Sequence, residues 1–129
     1  MAFPGRVLLV GLDPRSVPGV DADLVETAMV MGQARFDAED VDVTCCLLDP
    51  DNDAIPVITH LLEYDDYACI VVGGGLRKPD ETVTLFERVV DLIRRLAPKT
   101  PIAFNTNPFD SIDAVRRCIP LSRRRASAD

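Results

Sequence analysis

Three consecutive glycines, Gly73-Gly74-Gly75, followed by Arg77 and Lys78, are the strongest chemical signature in the chain. Without side chains, adjacent glycines let backbone N–H groups converge on an anion, and Arg77 adds a bidentate contact to a phosphate or carboxylate. Asp13 and Asn105 each stand just after an apolar run. An amide at such a position either faces a ligand or must be paired inside the protein. Asp13, Gly73, Gly74, Gly75, Arg77 and Asn105 therefore form the candidate ligand-binding set. The ligand they suggest is a small anionic molecule, either a phosphorylated metabolite or a carboxylate. Structural alternatives stand beside this reading. The glycines also serve a tight turn, Arg77 and Lys78 also serve as partners for Asp13 or Asp49, and Thr106 and Asn107 are expected to supply turn and capping chemistry.

Other chemistries lack their residues. His60 is the single histidine and falls beside Leu61 and Leu62 in a helical segment, so no local Ser-His-Asp or Cys-His arrangement can be assembled. Asp13, Asp49 and Asp51 are hard oxygen donors of the kind Mg²⁺ prefers, but aspartates in such loops are expected to cap helices, and no metal is assigned. No GxGxxG or GxxxxGK[ST] pattern is present, Trp is absent, and only Tyr64 and Tyr67 supply phenol rings, so no dinucleotide, P-loop or flavin cofactor is expected. The four cysteines contain no CxxC pair and read as small core residues, with Cys45 and Cys46 on opposite faces of a strand. No catalytic residue is assigned, and whether the chain is an enzyme stays open.

The elements that must position the candidate set alternate strictly. Arg6–Gly11 and Tyr67–Val72 are continuous apolar runs, as in parallel strands covered on both faces. The second strand, Val41–Leu48, alternates Val41, Val43, Cys45 and Leu47 against Asp42, Thr44 and Cys46, the pattern of an edge strand with one less buried face. The fourth, Pro101–Asn105, begins on the residue where a missing donor costs least. Each strand is followed by a helix. The first starts near a capping-box-like Asp23/Glu26 and buries Leu24, Ala28, Met31 and Phe36. The second has Pro56 in its first turn and buries Val57, Ile58, Leu61 and Leu62. The third opens at Pro79 and Asp80-Glu81, whose carboxylates compete with an anion, and its stripe runs through Val83, Phe86, Val89 and Ile93 to Leu96. The fourth spans about Ser111–Cys118, acidic at its start and basic at its end.

Four βα units predict an α/β three-layer sandwich with a four-stranded parallel sheet in order 2-1-3-4. The alternation and the run Tyr67-Ala68-Cys69-Ile70-Val71-Val72-Gly73-Gly74-Gly75-Leu76-Arg77-Lys78-Pro79 resemble flavodoxin-like and receiver-like domains at the level of fold, over roughly residues 6–119. The resemblance implies a site beyond the carboxyl ends of the strands, at the switch point between the first and third. It implies no phosphotransfer. Glycines 73–75 stand where a receiver has its acceptor aspartate, and only Asp13 and Thr106 fall at positions similar to a receiver site. A scaffold that lost its chemistry and serves as a protein-interaction module is the alternative function.

Length and composition bound these readings. The chain has 129 residues, 47% of them hydrophobic and 27% charged, which suits one globular domain over 1–120 with a flexible basic tail over 121–129 carrying Arg123, Arg124 and Arg125. A net charge of −7 repels a phosphate backbone, so no nucleic-acid partner is expected. No signal peptide and no apolar span long enough for a bilayer is evident, and a cytoplasmic protein without membrane partners is expected. The uncharged edge Ile102-Ala103-Phe104 predicts a homodimer formed across the fourth strand.

Overall fold

A computed structural model describes residues 5–17, 19–49, 54–77 and 80–119, without the side chains of Arg77 and Glu81. The proposed contacts of Arg77, together with Asp51, Lys78, Pro79 and the tail 121–129, lie outside the described residues.

Four strands, β1 (Arg6–Leu12), β2 (Asp42–Leu48), β3 (Cys69–Val72) and β4 (Ile102–Phe104), form one parallel sheet in the order β2-β1-β3-β4. The central pair explains the continuous apolar runs, because both faces of each strand are covered. Leu8 and Val10 of β1 join Ile70 and Val72 of β3 in a core with Ile58 and Leu62 of helix α2 (Ile55–Tyr64) and Val89 and Ile93 of helix α4 (Val83–Leu96). The alternate residues Val7, Cys69 and Val71 pack in a second core. There they meet Phe36 of helix α1 (Ala22–Ala38) and Ile112 and Val115 of helix α5 (Ser111–Cys118). The two-residue period of a strand divides the core in this way. Among the described residues no helix is long and apolar enough to cross a membrane.

Several elements depart from their expected faces. In β2 the buried residues near the carboxyl end are Cys46 and Leu48, whereas Cys45 and Leu47 are exposed. The alternation is real but its phase is reversed there, because α2 covers the Cys46 side while α1 leaves the other side partly open. In α1, Leu24 and Met31 are exposed, and the buried positions are Gly32 and Phe36. Val57 of α2 is exposed, as are Val83 and Leu96 at the two ends of α4. The third helical stretch is also broken. A single turn, α3 (Gly74–Arg77), is followed by a 3₁₀ turn at Asp80–Thr82, and the long helix begins only at Val83. Thr82 ties these pieces together, its hydroxyl donating to the Leu76 carbonyl at 2.6 Å. Asp80 and Glu81 thus precede the helix whose first turn they were expected to fill.

The β4 edge is not bare. Pro101 O accepts from Ile70 N across the β3 pairing, so the Ile102 and Phe104 carbonyls, one residue out of phase, point away from β3. Both are covered by α5: Arg117 Nη2 donates to Phe104 O at 2.7 Å and Cys118 Sγ lies 3.7 Å from Ile102 O. A guanidinium on an edge carbonyl hinders strand addition and so opposes the homodimer expected at this strand. Wild-type protein should therefore sediment at its 14.1 kDa chain mass, while Arg117→Ala associates reversibly at micromolar concentration. Equal behaviour of the two in sedimentation equilibrium would show that Arg117 does not guard the edge.

Candidate functional site

The switch point lies where β1 leads to α1 on one face and β3 leads to α4 on the other. Gly73 N donates to Val10 O at 2.7 Å, extending the β3 ladder by one residue. A side chain at Gly73 would put its Cβ 3.2 Å from that same carbonyl oxygen and 3.4 Å from Gly11 Cα, so the glycine eases a close approach to β1. None of Gly73, Gly74 and Gly75 has a positive φ. They do not supply unusual dihedrals. Gly74 and Gly75 instead open the single turn α3, which presents Leu76 to the core.

Asn105 is buried at the end of β4 and paired within the protein. Its Oδ1 accepts from Gly74 N at 2.8 Å, and its Nδ2 donates to Ser111 Oγ at 2.9 Å. The amide thereby locks the glycine turn to the start of α5. Two of the N–H groups expected to cradle an anion, those of Gly73 and Gly74, are spent on Val10 O and Asn105 Oδ1. Asp13 is spent too: its Oδ1 accepts from Arg15 N at 3.0 Å and caps the 3₁₀ turn Pro14–Ser16, while its own N–H donates to Leu48 O. Arg15 then crosses to α1 and pairs with Glu26 and Asp23.

The fourth-strand loop closes on itself. Asn107 Oδ1 accepts from Phe109 N and Asp110 N, and Asp110 accepts from the Thr106 N–H and hydroxyl in return. This is the capping chemistry expected of Thr106 and Asn107, applied to a 3₁₀ turn, Pro108–Asp110. Burial pushes the Asp110 carboxyl up, but hydrogen bonds from Thr106 and Asn107 outweigh it and hold the group below its ordinary value. Asp113 is also held low, chiefly by its bidentate bond to Arg35 at 2.8 and 2.9 Å. A carboxyl depressed in the folded state contributes stability above its unfolded value of about 4, and that contribution is lost as pH falls through the folded value. The melting temperature should hold from pH 7 to about pH 5 and fall at lower pH, less steeply in Asp113→Asn; identical acid limbs would remove Asp113 from the balance.

Between α1 and the sheet the same rim opens into an apolar cavity of about 320 Å³. Leu9 and Leu12 of β1, Leu47 of β2, and Val25 and Met29 of α1 supply its walls, with Gly73–Gly75 and Asn105 at one side. A second cavity of about 200 Å³ lies further along α1, lined by Val30, Phe36 and Cys45 among others. Of the candidate set, Gly73, Gly74, Gly75 and Asn105 line this cavity, whose hydrocarbon walls the set did not include. Two signals announced them: the apolar Val17 and Val20 within a loop rich in breakers, and an α1 with more apolar residues than one face can bury.

The remaining candidates stand apart. His60 is exposed on α2 and stacks on Tyr64, ring centroids 4.3 Å apart. Cys46 and Cys69 are buried, and burial raises their thiols to about 11 and about 12, so neither is a thiolate at neutral pH. Among the described residues no group of three His, Cys, Asp or Glu side chains comes together to hold a metal. No family model, no curated protein and no solved structure matches the chain.

Proposed function

We propose that this chain is a small-molecule binding domain on a flavodoxin-like, three-layer scaffold, and that its ligand is predominantly apolar. The observation that carries the reading is the lining of the rim cavity: about 320 Å³, within the usual range of ligand clefts, walled by Leu9, Leu12, Val25, Met29 and Leu47. The polar groups beside it favour the same ligand. The Gly73 and Gly74 amides and the Asn105 side chain already hydrogen-bond within the protein, so an anion entering here would have to displace those bonds. With a net charge of −7, the whole-chain field adds to that cost. The ligand supported best therefore differs from the small anion suggested by the glycine run.

A protein-interaction module is the second reading, and the exposed Leu24, Val30 and Met31 of α1 favour it. Titration with Nile red, a neutral apolar fluorophore, separates the possibilities. Wild type should bind it at one site with enhanced emission. Leu47→Glu, which places a carboxylate in the cavity wall at a half-exposed position, should lose at least tenfold in affinity, about the cost of one unpaired polar group facing apolar surface. Orthophosphate at millimolar concentration should leave the melting temperature unchanged. Stabilisation by phosphate without Nile red binding would restore the anion reading, and binding of neither would leave the interaction module.

A further inference from the structure

We propose that the ligand is an unbranched alkyl chain, taken up as a free monomeric amphiphile into a channel that runs beneath α1; this rests on the apolar-ligand reading above. The two cavities are not independent. They share Leu9, Met29 and Pro108 as lining residues, which puts Met29 at the junction between them. Methionine is unbranched, has three rotatable bonds and fills irregular gaps without fixing their shape. A rotamer change at Met29 joins the cavity at the strand rim, about 320 Å³, to the one beside Phe36 and Cys45, about 200 Å³.

The joined space is elongated, since its near end lies at Gly73–Gly75 and its far end at Gln33, Phe36 and Cys45 of α1 and β2. The phase of β2 gives it a floor. Cys45 and Leu47 project toward α1 and are left exposed, while Cys46 and Leu48 turn to the opposite core. α1 meets the Pro108 turn at Gly32 and buries Phe36 in the second core, while Val25 and Met29 line the space. A space that passes from one cavity into the next between hydrocarbon walls suits a flexible chain better than a fused ring system. At the rim, Thr106 and Asn107 hydrogen-bond within their own turn, so the head group is read weakly and selection falls on chain length.

The test compares octan-1-ol, which the rim cavity accommodates alone, with dodecan-1-ol, which must pass Met29. Displacement of Nile red should give affinities that rise about fourfold per methylene, hence roughly 250-fold over the four methylenes between the two alcohols. Cys45→Phe, which occupies the far cavity, should abolish most of that difference. Cys45 also reports on occupancy without any substitution. Bound dodecan-1-ol should slow alkylation of Cys45 by N-ethylmaleimide several-fold, read site by site by mass spectrometry, while Cys118, exposed at the end of α5, reacts at its usual rate. Octan-1-ol should protect neither. If both alcohols bind equally well, or Cys45 reacts unchanged with dodecan-1-ol bound, the channel is refuted and the rim pocket stands. If Nile red and both alcohols fail to bind, the apolar-ligand reading falls as well.

Discussion

Gly32→Ala should unfold roughly 8 °C below wild type, although alanine is the better helix former by about 1 kcal/mol. The added Cβ would lie 2.3 Å from Pro108 O and 3.1 Å from Pro108 C. These are backbone atoms of a turn already held by Asn107 and Asp110, so the neighbour cannot step aside as a flexible side chain would. α1 must move instead, and it is pinned at this point. Arg35 makes its bidentate bond to Asp113, donates to Phe109 O at 3.0 Å and lies 4.7 Å from the Phe109 ring centroid, while Phe36 is fully buried on the other side. Overpacking of this kind costs about 1–3 kcal/mol, and here it exceeds the gain in propensity because neither partner can relax. Thermal unfolding followed by circular dichroism decides the matter: a melting temperature at or above wild type would mean that α1 does not touch the Pro108 turn.

Asn105→Ala should be destabilised by about 3 kcal/mol, the upper end for stranding buried hydrogen-bonding groups. The side chain is 3% exposed and serves Gly74 N with one end and Ser111 Oγ with the other. Removing it leaves the Gly74 N–H without its acceptor in a place where water has poor access, and frees the glycine turn from α5. Asn105→Asp provides a control with a definite sign. A buried carboxyl there has its folded value raised above the ordinary value of about 4, so its neutral form fits and its charged form does not. Stability tied to the neutral form is present at low pH and lost as pH rises through the raised value. The deficit of Asn105→Asp relative to wild type should therefore shrink between pH 8 and pH 5, whereas that of Asn105→Ala stays constant. Denaturant unfolding at the two pH values measures both, and a pH-independent deficit in Asn105→Asp would place residue 105 in contact with solvent.

Residue order alone determined the parallel α/β sheet, its strand order, the bounds of α5 and the buried centre of α4. These features rest on short-range signals: continuous apolar runs for β1 and β3, Pro56 at the start of α2, and a helical stripe through Val89 and Ile93 with charged residues on the remaining surface. The clustering of Gly73, Gly74, Gly75 and Asn105 also followed, because parallel strands deliver their carboxyl ends to one rim. Tertiary structure decided the rest. α1 carries apolar residues around most of its circumference, so of the face expected to be buried only Phe36 was, and the contacts of Gly32 with the Pro108 turn and of Phe36 with the second core set the helix's orientation. β2 alternates cleanly, yet which phase is buried depends on how closely α1 and α2 approach, and no pattern within β2 contains that information. The fate of the glycine amides likewise hung on one distant side chain. Only folding brings Asn105 to Gly74 N, and that hydrogen bond turns an apparent anion cradle into one wall of an apolar cavity.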